Sequence, residues 1–356
     1  MKSLNKILRL PITFLLLIIA PITLSSQTLD PDIQWQKCFG GSYWEEPQNI
    51  ISTYDEGYIF VGHAKSIDGD VEGNHGDKDY WVVKLDYSGN LIWQKCLGGS
   101  FQDEAHSIIQ TNDSGFVVAG STYSNDGDIF ENNGLTDLWV VKLNNTGEII
   151  WQKTYGGSGG DALGSVTIDK AHDNGFILFS SSFSIDGDIN CNHGGPDFLV
   201  IKLDESGNIE WHRCMGGSTN EWASSFTKST DGGYILAGYT NSNDGDVNSN
   251  NGLIDCWVVK IDQIGNIIWQ KTIGGTNNDY FTSIIQSNDG SYSLAGSTMS
   301  DDGDIDENNG ATDYFIVNIS DEGVVNWKRI FGGSGNEFAN SIIQTTDNGF
   351  VIARTT

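Results

Sequence analysis

A unit of about 58 residues occurs six times along this chain, and no other feature limits its possible folds as strongly. Trp35, Trp93, Trp151, Trp211, Trp269 and Trp327 each begin a W-x-[KR] triplet followed closely by a glycine pair, from Gly40-Gly41 to Gly332-Gly333. The step is 58 residues throughout, except for 60 between Trp151 and Trp211. A unit of that length can bury its faces only against neighbouring copies, so the chain must stack its units radially or in a line.

The second unit shows what is being stacked. Ser107 to Thr111 is a short alternating run, followed by the turn Asn112-Asp113-Ser114-Gly115 and the apolar run Phe116 to Gly120. A long polar loop, Asn125 to Thr136, leads to Leu138 to Leu143, and the turn Asn144 to Gly147 leads to Ile149-Ile150-Trp151. These are four short strands with no helical periodicity. The expected fold is therefore all-β, a β-propeller of six blades with four antiparallel strands each. The chain opens with a lone fourth strand, Ile33 to Cys38, and ends after two strands of the sixth unit. The last blade is then incomplete, its third strand falling beyond Thr356. A linear β-solenoid is the alternative, although its coils are usually shorter. The recurring aromatics after the first turn (Tyr58, Phe116, Phe176, Tyr234, Tyr292, Phe350) and in the third strand (Trp81, Trp139, Trp257, Phe315) read as packing between blades. Trp44 and Trp222 fall outside that pattern.

Residues 1–26 read as a signal peptide: Lys2, Lys6 and Arg9, an apolar run from Ile12 to Ile22, and a small-residue exit at Ser25-Ser26. The run is too short for a membrane span and no stop-transfer pattern follows. The mature chain, 27–356, is then a single propeller domain that is secreted or displayed at the cell surface, with no transmembrane segment. Processing leaves 16 of the 19 basic residues against all 47 acidic ones. Such a surface repels nucleic acid and attracts cations and cationic partners. Five cysteines, Cys38, Cys96, Cys191, Cys214 and Cys256, argue by their odd number against a disulfide framework. Cys38, Cys96 and Cys214 share one repeat position and read as small buried residues.

With these motifs the chain resembles secreted β-propeller repeat proteins of Gram-negative bacteria, whose units run G-G-S…S-I-I-Q-T-x-D-G-G-Y…W-V-x-K-L-D-x-x-G-x-x-x-W. The likeness covers about residues 33–354. It implies a surface or secreted protein, a class often carrying a C-terminal sorting domain, which is not visible in this sequence. Thr53-x-Asp55-x-Gly57-x-x-Phe60 is similar to the Asp-box turn of sialidases. The arginine cluster that grips a sialic acid cannot be assembled from Arg213, Arg329 and Arg354. The hairpin Asp86 to Trp93 is similar to the tryptophan-docking hairpin of quinoprotein dehydrogenases, without their adjacent-cysteine disulfide. Both likenesses speak to fold rather than reaction.

Because antiparallel strands alternate direction, the tight turns share one face and the two longer connections share the other. The long loop between the second and third strands reads D-G-D-[IV]-x-x-N-x-G-x-x-D in all five copies. It supplies Asp68, Asp70, Asn74 and Asp79 in unit one, and Asp126, Asp128, Asn132 and Asp137 in unit two. Units three and four give Asp186, Asp188, Asn192, Asp197 and Asp244, Asp246, Asn250, Asp255, and unit five gives Asp302, Asp304, Asn308 and Asp313. Hard oxygens at this spacing suit Ca²⁺, the one cofactor the sequence suggests, although the EF-hand's closing Glu is missing. The same residues also suit turn chemistry, in which Asp and Asn bond their own backbone. The glycine loop between units reads G-G-[ST]-x-x-[DE], with Glu45, Asp103, Asp161, Glu221, Asp279 and Glu337 as its acid. That regularity favours a structural role, accepting backbone N–H bonds from a neighbouring blade.

Beside these acids the repeat lapses. Tyr43, Trp44, Phe101, Trp222, Tyr280 and Phe338 are the candidate ligand-binding residues, since aromatics near carboxylates stack on sugar rings or anchor a protein. Simple packing is the competing account. No Ser-His-Asp set, phosphate loop or zinc spacing is present. The reading is a binding or scaffold module with a protein or polysaccharide partner, acting through its acidic loop face. The alternative is a carbohydrate-active hydrolase or lyase using acids on that face.

Overall fold

The computed structural model describes residues 33–355; residues 1–26, read above as a signal peptide, lie outside them. Unit one is β1 (Glu45–Ser52), β2 (Tyr58–Ala64), β3 (Asp79–Leu85) and β4 (Leu91–Leu97). Unit two is β5 (Asp103–Gln110), β6 (Phe116–Thr122), β7 (Asp137–Leu143) and β8 (Ile149–Tyr155). Unit three is β9 (Leu163–Lys170), β10 (Phe176–Ser182), β13 (Asp197–Leu203) and β14 (Ile209–Met215), with a small ladder, β11 (Ile185–Asp186) and β12 (Ile189–Asn190), in its long loop. Unit four is β15 (Glu221–Lys228), β16 (Tyr234–Thr240), β17 (Asp255–Ile261) and β18 (Ile267–Ile273). Unit five is β19 (Asp279–Gln286), β20 (Tyr292–Thr298), β21 (Asp313–Ile319) and β22 (Val325–Phe331), and unit six the pair β23 (Phe338–Gln344) and β24 (Phe350–Thr355). Five sheets are four-stranded antiparallel meanders and the sixth is a hairpin. The fold is an all-β propeller of roughly six blades. The lone opening strand expected at Ile33 to Cys38 does not form, since no strand is found between Ile33 and Trp44. A fourth strand pairs only with a third, and among the described residues unit six has none.

The first strands lie innermost. Their neighbours across units are one another, and side chains on one bond the backbone of the next. Ile108 N donates to Asn49 Oδ1 at 3.4 Å, Ile168 N to Ser107 Oγ at 3.3 Å and Ile284 N to Ser225 Oγ at 3.4 Å. At the tight-turn face, Lys170 of unit three reaches Tyr54 of unit one, its Nζ donating to the phenol oxygen at 2.9 Å. That span requires the inner strands to converge.

The core lies between blades. Strands β6, β7 and β10 are buried along their whole length, as expected of apolar runs covered on both faces. Each cluster draws on two consecutive units, Val61, Tyr80, Val118 and Trp139 being one example. The marker Trp of each fourth strand closes the next junction. Trp93 Nε1 donates to the Asn145 carbonyl at 3.2 Å, and its ring lies over Gly147, where a Cβ would come 3.0 Å from Cε3. Gly147 also has φ +83°, so the hairpin turn and the Trp both demand glycine. The third-strand lysines are buried too. Lys84, Lys142, Lys202 and Lys260 pair with Asp55, Asp113, Asp173 and Asp231 of the first turn at 2.8–3.0 Å.

The cysteine reading needs correction. Cys191 and Cys214 form a disulfide within unit three, with Cα atoms 5.4 Å apart, and Cys38 is exposed rather than buried. In unit four the same two places are held by Ser249 and Thr272, whose hydroxyls bond at 3.1 Å. The bridge joins a long loop to the fourth strand of its own blade, so distance between blades never limited it.

Candidate functional site

The D-G-D loops are tied to the glycine loop that enters the same blade. The first aspartate accepts a backbone N–H in every copy: Asp68 from Ser42 at 2.7 Å, Asp126 from Ser100 at 2.7 Å, Asp186 from Ser158 at 2.6 Å, Asp244 from Ser218 at 2.7 Å and Asp302 from Thr276 at 2.7 Å. The second caps the first glycine of the pair, Asp70 with Gly40 and Asp128 with Gly98 at 3.1 Å, and Asp246 with Gly216 at 3.2 Å. Asp188 and Asp304 bond the same loop through their backbone N–H, to the carbonyls of Gly156 and Gly274 at 2.9 Å. Asn74, Asn132, Asn192, Asn250 and Asn308 each clamp the loop, donating to the carbonyl that ends the second strand and accepting from the glycine two residues on. The side chains at loop positions 1, 7 and 12, with those of Asp70, Asp128 and Asp246 at position 3, thus bond separate backbone groups. Among the described residues no group of three or more acids, His or Cys is gathered as a metal cluster.

The twelfth-position acids, Asp79, Asp137, Asp197, Asp255 and Asp313, are fully buried. Oδ2 of each accepts an N–H from the residue four back, at 2.7–2.9 Å, while Oδ1 has no partner. Opposite stands the glycine-loop acid of the next blade. A Cβ on Gly98 would lie 2.7 Å from both Asp79 Oδ1 and Asp103 Oδ2, which is why that residue is glycine. Burial pushes Asp79, Asp137, Asp197 and Asp255 up to about 6. It also raises Asp103, Asp161 and Asp279, against the hydrogen bonds they accept. Glu45, Asp103, Asp161, Glu221, Asp279 and Glu337 do accept N–H bonds, at 2.8–3.1 Å, but from the second glycine of their own loop rather than from a neighbouring blade. A four-residue loop simply closes on itself more readily than it reaches across.

The six candidate aromatics divide into two groups. Tyr43, Trp44 and Phe101 stand exposed at glycine-loop tips of units one and two, Trp44 at 81 %. Trp222, Tyr280 and Phe338 occupy one column on the inner strands, immediately after the repeated acid. In units one and two that column holds Glu46 and Glu104. Sequence reading missed what lies around it. Trp222 pairs in register with Tyr239, as Glu46 does with His63. Tyr239 meets Tyr280 of the next blade edge-on, with ring centres 4.9 Å apart. On the acidic side His63 Nε2 lies 3.4 Å from Glu46 Oε2, and Lys78 Nζ lies 2.7 Å from Glu104 Oε1. Burial holds His63 and His106 below the ordinary imidazole range. Burial opposes ionisation of Glu104, yet Lys78 and the two histidines hold it below its ordinary value.

The two extra residues of unit three also belong here. Thr167 pairs with Phe179 as Ser107 pairs with Ala119, so the insertion lies between Asp161 and Thr167 on the inner strand. At Gly164 an added Cβ would lie 3.6 Å from Cε3 of Trp222. The signal was available: this column changes from acid in units one and two to aromatic in units four to six, and the 60-residue step marks the insertion.

No family model matches the sequence, and no curated protein does. Among solved structures the chain is similar to the WD40 domain of Neurospora crassa Pan2, at 10% identity over 86% of this chain and 85% of that one, with TM-score 0.44. It is also similar to an α-L-arabinanase of Penicillium chrysogenum (10%, 69% and 73%, 0.42) and to BamB of Moraxella catarrhalis (13%, 84% and 82%, 0.39). The four-stranded blades themselves define the class as a β-propeller, and the likeness to these structures is one of fold alone. No helix among the described residues is long and apolar enough to cross a membrane.

Proposed function

We propose that this chain is an exported binding module that receives its partner on the face bearing the glycine and D-G-D loops. One observation carries the reading. The loops themselves repeat as hydrogen-bonded turns, whereas the side chains at the start of the inner strands on that face do not repeat: Glu46 and Glu104 give way to Trp222, Tyr280 and Phe338. Repeated positions serve the contact every blade makes, so a column freed from the repeat is where selection for a ligand leaves its mark. The carbohydrate-active enzyme stands as the second reading, supported by the half-buried group of Glu104, His63, His106 and Lys78.

The test compares the two faces. Binding of candidate polysaccharides and basic polypeptides to the mature chain is measured for Trp222→Glu and for Tyr87→Ser, Tyr87 being exposed on the tight-turn face. Loss with the first and not the second is expected. The reverse pattern would sink the loop-face reading.

A further inference from the structure

The aromatics of units four and five are not explained by folding. The chain carries its own controls: the place of Trp222 and Tyr280 is filled by Glu46 and Glu104 in units one and two, and that of Tyr239 by Ser121, Ser181 and Ser297. A blade therefore closes with a carboxylate or a hydroxyl at these positions. Yet three partly buried rings gather here, Trp222 the register partner of Tyr239 across the ladder and Tyr239 edge-on against Tyr280 across the blade junction. The inner strand of unit three carries its insertion at the same level, with Gly164 leaving space beside the indole.

The polar groups around the rings set the ligand class. Where unit one has Tyr43-Trp44 at its loop tip, units four and five have Thr219-Asn220 and Asn277-Asn278. These are neutral amides and hydroxyls. The neighbouring acids are withdrawn from any ligand: Glu221 and Asp279 are fully buried, and their oxygens accept from Gly217 and Gly275 N–H and from the hydroxyls of Thr240 and Thr298. The oxygens of Glu221 and Asp279, the acids next to the rings in sequence, are therefore not offered to a cation. Flat apolar ring faces beside amides that donate and accept match a sugar, whose C–H faces are apolar and whose rim is hydroxyl.

We propose that the loop-face ends of the inner strands of units three to five bind a neutral glycan chain, with sugar rings stacked on Trp222 and Tyr280. This rests on the loop face being the binding face, and it names the ligand class. The experiment is calorimetric titration of the mature chain with cellohexaose, mannohexaose, xylohexaose and arabinohexaose, and separately with octalysine, between about 0.05 and about 0.3 M salt. Trp222→Glu and Tyr280→Glu serve as variants, since units one and two show that the fold accepts Glu there. At least one hexasaccharide is expected to bind with little salt dependence, weakening about tenfold or more in both variants and unchanged in Tyr87→Ser. Binding of no hexasaccharide at millimolar concentration overturns the proposal, as does glycan binding that survives both variants. Octalysine binding alone, lost with salt, overturns the glycan and leaves the loop-face module standing. Glycan binding lost in Tyr87→Ser instead overturns both.

Discussion

Lys142 shows how the repeat uses a single residue. Its side chain is 6 % exposed, its ammonium bonds Thr111 Oγ1 at 2.6 Å, and it pairs with Asp113, whose side chain is 55 % exposed. Removing a partner from a buried charge costs more than removing the charge, because the survivor stays desolvated. Asp113→Ala should therefore lower stability by roughly 1–3 kcal/mol, the lower end applying because water already reaches the carboxylate. Lys142→Met should cost less. Unit five does without the lysine, a neutral Asn318 in its place bonding Ser291 at 2.7 Å and Ser293 at 3.0 Å. Urea midpoints of the two variants check the order, and a larger loss for Lys142→Met would contradict it. Gly98→Ala is the second test at this scale. Its Cβ would press on two buried carboxylates at 2.7 Å, so a loss of about 1–3 kcal/mol is expected, typical of overpacking.

At the level of elements, the strands were plain in the sequence because they alternate or run apolar between turn residues, unit after unit. Trp93, Trp151, Trp211 and Trp269 each pack against the turn glycine of the next blade. What escaped notice were pairings between residues far apart along one unit. The Lys84–Asp55 bridge joins residues 29 apart, and the Cys191–Cys214 bridge becomes visible only when Ser249 and Thr272 are set beside it. The opening strand at Ile33 failed for the opposite reason: its pattern was right, but a strand needs a partner as well as a pattern. In the candidate site the aromatics could be read and their grouping could not, because Trp222 and Tyr239 meet through register, and Tyr239 and Tyr280 meet across two blades. The disulfide closes a loop of separation 23, so Cys214→Ser should cost roughly 3 kcal/mol by loop entropy, measured against wild type without reductant. An equal midpoint would show that the bridge contributes nothing. The D-G-D loops allow a similar check. Their first aspartates already hold backbone N–H groups at 2.6–2.7 Å, so the thermal midpoint should agree in EDTA and in millimolar Ca²⁺. A rise of several degrees specific to Ca²⁺ would assign the cation to these loops.

Across the whole molecule the blade junctions make stability depend on pH in two opposite directions. Asp79, Asp137, Asp197 and Asp255 are raised to about 6 by burial. The folded state therefore binds more protons than the unfolded one between the ordinary carboxylate range and pH 6. Stability linked to these groups is present at and below the unfolded value of 3.8 and is lost as pH rises through 6. Asp55, Asp113 and Asp231 behave in the opposite sense. Burial opposes the shift, but their lysine, hydroxyl and backbone hydrogen bonds hold them at about 2. Their contribution is present above 3.8 and is lost as pH falls towards 2. The two sets bracket an optimum between about pH 4 and about pH 6, below the neutral range where proteins usually peak. The urea midpoint should accordingly be higher at pH 5 than at pH 8. Asp137→Asn tests the cause, because it removes one of the raised carboxyls and can place an N–H₂ where the unpartnered Oδ1 now faces Asp161. That variant should gain on wild type at pH 8, lose most of that gain at pH 5, and shallow the slope between them. A midpoint independent of pH, or a variant weaker than wild type at both values, would mean the buried pairs are relieved some other way.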